Sequence, residues 1–359
     1  MFERDDIAKL LRPAGQGIYL VSSGKAAQLA LGRALYKVAN DSEVQAAHEA
    51  SLTAALAARV VVLGIPSDTG AGFARGANLG PGELRRAYLA KHGTYPEGVV
   101  DIGDVFVVPQ LLSDEMCSQG QLARSREALY GDAQSPLPVS PLSAAEAVLV
   151  WLRRVNPAAR VFMLGGDHST AIPVVNAYVA GRAGACIVHV DAHTDLLETR
   201  LGVQDCFATW AHQANDMLGR QERLVQVGIR ATGRTQEHWE QTLGVKQWWA
   251  NDCVGGAWID DLIAHLKRVQ CKQVYFSNDI DGTDAAWASA TGTPEPGGLH
   301  PDQVATLIER VGREFPVFAA DLVEVAPRLG EDAASRECTM QTAVRYMQFT
   351  LGALLAHQA

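Results

Sequence analysis

Three short acidic and histidine-bearing strings, each placed directly after an apolar run, most constrain how this 359-residue chain folds. Gly165-Gly166-Asp167-His168-Ser169 follows Val161-Phe162-Met163-Leu164. Asp191-Ala192-His193-Thr194-Asp195 follows Ile187-Val188-His189-Val190, and Ser277-Asn278-Asp279-Ile280-Asp281 follows Val274-Tyr275-Phe276. Apolar runs this short read as strands buried on both faces. Parallel strands deliver their C-terminal ends to one edge, where open α/β sheets build their sites. The strings are therefore expected to converge, bringing Asp191, Asp195, Asp279 and Asp281 together with His168 and His193. So much negative charge in one buried place is untenable without cations. Two divalent metals sharing carboxylates are the simplest answer. Carboxylate and imidazole donors without thiolates suit manganese, and also accept nickel, cobalt, iron or zinc.

Alternation in an extended segment would turn Asp191, His193 and Asp195 to one side, and Asp279-x-Asp281 would repeat the arrangement on another strand. His189 shares the parity of Asp191, which suggests a supporting role behind the ligands. Asn278 is turned away from them.

Strand-like runs at 160–165, 185–191, 224–229, 273–280 and 316–322 alternate with helix-length segments, as do Val60-Val61-Val62-Leu63 and Val99-Val100-Asp101-Ile102. Such alternation predicts a three-layer α/β/α fold around a mostly parallel sheet. Pro81 suits a helix's first turn, and Ser143 with Glu146 has the spacing of a capping box opening a helix. The stretch 106–142, with Pro109, Gly120, Gly131, Pro136, Pro138 and Pro141, reads as a loop-rich excursion near the site mouth. Residues 25–59 are rich in alanine and leucine at helical spacing. The expected organisation is an N-terminal helical extension over 1–58 and a catalytic domain over 59–359. The amphipathic face of that extension packs either on the body or on a neighbouring subunit.

The sequence is 48% apolar, enough for a large core, and its net charge of −9 argues against nucleic acid as a partner. Six cysteines show no C-x-x-C pairing, which suggests free thiols in a reducing compartment. Met1-Phe2-Glu3-Arg4-Asp5-Asp6 lacks the apolar core of a signal peptide, and no segment approaches a bilayer span. A cytoplasmic protein without membrane contact is the expectation.

The strings also resemble those of the ureohydrolases, the arginase and agmatinase family of dimanganese enzymes that split guanidino compounds into an amine and urea. Gly64-Ile65-Pro66-Ser67-Asp68-Thr69-Gly70, Asp101-Ile102-Gly103-Asp104-Val105, Thr291-Gly292-Thr293-Pro294-Glu295-Pro296-Gly297-Gly298 and Asp321-Leu322-Val323-Glu324-Val325 extend the likeness over roughly residues 60–355. The resemblance implies an arginase-like fold and a homo-oligomer, trimer or hexamer. It also implies one metal on His168, Asp191, Asp195 and Asp279, and a second on Asp191, His193, Asp279 and Asp281. Asp191 and Asp279 would then bridge ions about 3.5–4 Å apart. Asp195 resembles the carboxylate that shuttles a proton, and Glu324 the glutamate that grips the guanidinium.

The chain departs from the family pattern in two places. Phe207, within Asp205-Cys206-Phe207-Ala208-Thr209-Trp210, stands where the family carries a proton-transferring histidine; His212 lies five residues on. Asn278 replaces an apolar aromatic, and Ala285 follows Asp284 where proline is common. Phe207, Trp210 and Trp287 are candidates to line a small site for a compact cation such as agmatine, a guanidino acid or guanidine. Two other readings remain open: hydrolysis of a related C–N group such as a formimino compound, and a metal-binding member of the family without turnover.

Overall fold

A computed structural model describes residues 2–357. Nine strands form one sheet: β1 (Leu11–Arg12), β2 (Val60–Ile65), β3 (Val99–Val105), β4 (Arg160–Gly165), β5 (Ala185–Val190), β6 (Leu224–Ile229), β7 (Lys246–Trp249), β8 (Gln273–Asp279) and β9 (Val317–Val323). Their spatial order is β1-β3-β2-β4-β9-β8-β5-β6-β7. Every neighbouring pair is parallel except β1 with β3.

Strand side chains alternate between two apolar cores, as strands covered on both faces must. Val61, Leu63, Met163, Ile187 and Tyr275 pack under the helices Arg4–Leu10, Asp41–Ala54, Pro141–Val155 and Trp210–Met217. Val60, Val62, Phe162, Leu164, Val188 and Phe276 pack under Gly80–His92, Ala257–Arg268, Pro301–Glu314 and Ala333–Leu355. The three layers follow directly.

The order explains the site's position. β4 and β5 are consecutive in the chain, yet β9 and β8 lie between them in the sheet. The chain thus leaves the centre in opposite directions, and a crevice opens at the strands' C-terminal ends. Register then aligns the functional rows: Met163 faces Asp321, Ser277 faces both Asp321 and His189, and Asp279 faces Val323.

Several expectations are modified. The N-terminal segment is part strand as well as helix: Leu11 pairs with Val105 and Arg12 with Asp104. It is also tied to the body where His48 Nε2 meets the Ile102 carbonyl at 2.9 Å, and where Asn156 Nδ2 donates to the Ala55 and Ala58 carbonyls, each at 2.9 Å. The 106–142 stretch contains a helix, Gln119–Tyr130, N-capped by Ser118 Oγ. The helix expected at Ser143 begins at Pro141 with Ser140 as N-cap, because proline takes the first turn and Ser143 Oγ instead accepts the Asp114 amide at 3.0 Å. β7, the outer strand next to β6, was not legible as a run. No helix among the described residues is long and apolar enough to cross a membrane.

Candidate metal centre

The three strings meet at the crevice. His168 Nδ1 lies 3.3 Å from Asp191 Oδ2, 3.3 Å from Asp195 Oδ2 and 3.1 Å from Asp279 Oδ2. His193 Nδ1 lies 3.3 Å from Asp191 Oδ1 and 3.1 Å from Asp281 Oδ2. Donor atoms of His168, His189, Asp191 and Asp195 fall within 4.8 Å of one another, as do those of Asp191, His193 and Asp281. Asp191 joins the two groups through its two oxygens. All six expected residues are thus brought together.

Local structure achieves this differently from the expected pleat. β5 ends at Val190, and Asp195 sits at φ 50°, a left-handed conformation rare for a side-chain-bearing residue. After β8, Ile280–Gly282 form a tight turn capped by Asp279, whose Oδ1 accepts the Asp281 amide at 2.9 Å. Turns replace alternation because strand pleating spaces side chains too widely to aim several of them at one point. Close backbone approach helps as well. A Cβ on Gly166 would collide with the Ser67 carbonyl oxygen, and the Gly166 carbonyl accepts the Glu324 amide at 2.8 Å. Glu324 is itself left-handed at φ 59°, and its Oε1 accepts the His168 amide at 3.0 Å.

A second layer orients these groups. His168 Nε2 meets Ser277 Oγ at 2.9 Å, and Ser277 Oγ donates to Asp321. Tyr275 OH and the Asn278 amide donate to the same Asp321 carboxylate. His189 Nε2 lies 2.7 Å from Asp191 Oδ2, while its Nδ1 meets Gln226 Nε2 at 3.0 Å; Gln247 and then Trp249 continue that chain. Thr293 Oγ1 donates to Asp281 Oδ2 at 2.9 Å. Of these partners, strand parity marked His189 alone. Ser277 shares the parity of Asp279 and could have been found the same way, whereas Gln226 and Asp321 required the strand order.

The electrostatics fit a cationic guest. Burial, then repulsion from Asp281 and Asp191, raises Asp279 well above the usual carboxylate range. Burial and Asp191 push Asp195 up to about 8. Burial opposes charge on His193, yet Asp191 and Asp281 push it up to about 12. Burial, with Asp167 nearby, raises Glu324 strongly. His168 Nδ1, fully buried, makes no hydrogen bond while facing three carboxylates. An orphan nitrogen among crowded oxygens is a donor set suited to divalent ions, and its composition is compatible with a binuclear centre.

Of the aromatic expectations, that for Trp210 is corrected. Trp210 is 0% exposed, stacks on His168 at 4.6 Å between ring centroids, and donates Nε1–H to Asp195 Oδ2 at 3.0 Å. It braces the acids from beneath and does not line substrate space, because helix Trp210–Met217 turns its ring into the core. Trp287 packs against His300 at 5.0 Å. His212 leans toward Asp216, 3.9 Å away on the same helix. Phe207 is half-buried and borders a cavity of about 640 Å³ together with Gly70, Gln110, Gln121 and Arg200. The 106–142 excursion supplies one wall of that cavity.

Comparison with known proteins agrees with the geometry. The chain is 32% identical to a guanidinobutyrase of Pseudomonas aeruginosa over 279 residues, covering 74% of this chain and 78% of that protein. It is 30% identical to a human mitochondrial guanidino acid hydrolase over 281 residues, covering 74% and 70%. The solved agmatine ureohydrolase of Thermoplasma volcanium superposes with a TM-score of 0.64 at 26% identity, covering 83% of this chain and 90% of that one. Residues 58–351 match the arginase family as a whole. Sheet order, converging acids and sequence relatives agree: the chain belongs to the arginase family of ureohydrolases.

Proposed function

We propose that this hydrolase splits a C–N bond of a small guanidino compound, releasing urea and an amine or ammonia. The supporting observation is the convergence of His168 Nδ1 and His193 Nδ1 on Asp191, Asp195, Asp279 and Asp281. No lysine or arginine among the described residues pairs with these acids. The names of the relatives, guanidinobutyrase and guanidino acid hydrolase, support the substrate class.

In this reading His168, Asp191, Asp195 and Asp279 would hold one divalent ion, and Asp191, His193, Asp279 and Asp281 the other. Manganese fits the donors, with nickel as the alternative. Bound there, such ions would supply the Lewis acidity that makes water a nucleophile near neutral pH. Glu324 takes the guanidinium through paired hydrogen bonds and turns its carbon toward the acids. Asp195, held by Trp210 Nε1–H, accepts the proton of the attacking water and returns it to the departing nitrogen. With Phe207 at the position of the family histidine, Asp195 carries that proton without help from that side.

A homo-oligomer, trimer or hexamer, and a cytoplasmic setting complete the proposal. The six free thiols support a reducing compartment, and light scattering tests the assembly. The deciding experiment is urea release over a panel of guanidino compounds with manganese or nickel supplied, alongside metal analysis of the purified protein. Urea from at least one member with about two ions per chain is expected. Absence of urea from every member, or formamide from a formimino substrate instead, overturns the reading.

A further inference from the structure

The loop between Asp195 and Trp210 forms one wall of the 640 Å³ cavity. Its tip is a two-residue turn: the Arg200 and Val203 amides each donate to the other's carbonyl at 2.9 Å, and Leu201 and Gly202 both take left-handed φ, 51° and 82°. This geometry matches a type I′ hairpin turn, which fixes the direction of the flanking residues. Arg200 is exposed, with its backbone held by this turn. Its guanidinium lies 4.8 Å from the Phe207 ring centroid, and Phe207 in turn donates its amide to the Gly70 carbonyl at 3.1 Å. Gly70 N donates to Asp167 Oδ2, next to His168 in the chain. The loop closes again where the Leu197 amide meets the Ala208 carbonyl, directly beyond Asp195. Hydrogen bonds thus tie the loop that carries Arg200 and Phe207 to the segments that carry Asp167 and Asp195.

Among the described residues Arg200 makes no ion pair. Asp205, the acid on the same wall, accepts from Gln213 Nε2. Gln110, Ser118 and Gln121 offer neutral hydrogen-bonding groups elsewhere in the lining, beside apolar Leu111, Leu112 and Met116. A guanidinium held over an aromatic ring by cation–π attraction makes no hydrogen bond to it, so its N–H donors can match a carboxylate bidentately. A substrate whose far end carries an ammonium would meet like charge there instead.

We infer that Arg200, seated on Phe207, selects guanidino substrates whose tail ends in a carboxylate over those ending in an ammonium. The inference deepens the guanidino reading of the same site and rests on it. It makes Arg200 a specificity residue, one that touches the substrate tail and not the reacting carbon.

The test uses the full chain supplied with manganese and three probes of similar length: 4-guanidinobutyrate, n-butylguanidine and agmatine, with anionic, neutral and cationic tails. Urea release and calorimetric binding are both measured for the unaltered protein, Arg200→Gln and Arg200→Lys. The expected result is at least a tenfold preference in kcat/KM for 4-guanidinobutyrate over agmatine. In Arg200→Gln that preference falls below threefold through KM, while Arg200→Lys keeps part of it. An unchanged preference in Arg200→Gln, or a preference for agmatine in the unaltered protein, overturns the inference. Tighter binding of 4-guanidinobutyrate that Arg200→Gln abolishes, without urea from any probe, supports Arg200 as a carboxylate reader and overturns only the hydrolytic reading. Absence of both binding preference and urea overturns both.

Discussion

Two buried acidic clusters lie in this sheet, and they are solved in opposite ways. At the end of β3, Asp101 and Asp104 surround Arg85, which is 0% exposed. Arg85 Nε and Nη2 donate to the two oxygens of Asp101 at 2.7 and 3.0 Å, and Nη1 donates to Asp104. The Gly15 and Gly103 amides add further donors, to Asp104 Oδ2 at 2.7 Å and to Asp101 Oδ1 at 2.9 Å. Burial alone would lower Arg85, yet Asp101 and Asp104 hold it well above its usual value. That cluster carries its own cation. The cluster at the ends of β4, β5 and β8 has imidazoles but no internal arginine or lysine. Buried acids of the same residue type are thus structural in one place and metal-seeking in the other. The deciding feature is whether a basic side chain from a neighbouring helix is packed among them.

Removing one acid from the uncompensated cluster should have the largest effect. Asp279→Asn deletes a shared donor, so urea release should fall about 10³-fold or more with loss of bound metal, read by kinetics and elemental analysis. Circular dichroism should stay unchanged; retained activity would break the contrast. Arg85→Met attacks the other cluster and strands two buried carboxylates. A loss of about 3–5 kcal/mol in denaturant unfolding is expected. The triple change Arg85→Met, Asp101→Asn and Asp104→Asn should recover a large share of that loss, because no net charge then remains buried.

Metal should stabilise one cluster and ignore the other. Manganese at a hundred times its dissociation constant should add about 2.7 kcal/mol to unfolding, and a chelator should remove it. The same increment should appear in Arg85→Met and vanish in Asp279→Asn. Trp210→Phe keeps the ring on His168 but loses the hydrogen bond to Asp195. A fall in kcat of about tenfold with little change in KM is expected, about the worth of one hydrogen bond to a charged group. The smallest effect concerns Asn278, which is fully buried with neither side-chain amide atom partnered. Asn278→Leu should stabilise the fold by about 1 kcal/mol without altering urea release.

Asn278 and Trp210 show how far the residues alone could be read. Parity on β8 placed Asn278 away from the acids, and its side chain does lie on the opposite face, among Phe276, Val190 and Leu322. Parity is a local property, fixed by the two-residue repeat of an extended chain. Trp210 was read as a substrate wall because it is aromatic and close in sequence to Phe207. Its actual role depends on a helix that begins at Trp210 and turns the ring inward, which no neighbouring residue announces. Glu324 was named from motif likeness and Asp195 from its acidic string, but their left-handed backbones and the turns that aim them were not legible.

From its letters alone the chain determined the seven strands other than β1 and β7, and which acids and imidazoles stand at strand ends. Apolar runs and two-residue alternation are encoded within a few neighbouring positions. Only the tertiary structure decided that β9 and β8 enter between β4 and β5, which brings Asp321 and Glu324 beside the three strings. It also decided that Arg85 neutralises one acidic pair, while at the other cluster Arg230 stops at the Asp281 carbonyl and no described lysine or arginine pairs with a carboxylate. Strand order and helix placement depend on contacts between segments far apart in the chain, such as Val161 with Ala319 and Ala185 with Gln273. Those contacts are set by the packing of two whole apolar faces and not by any local pattern.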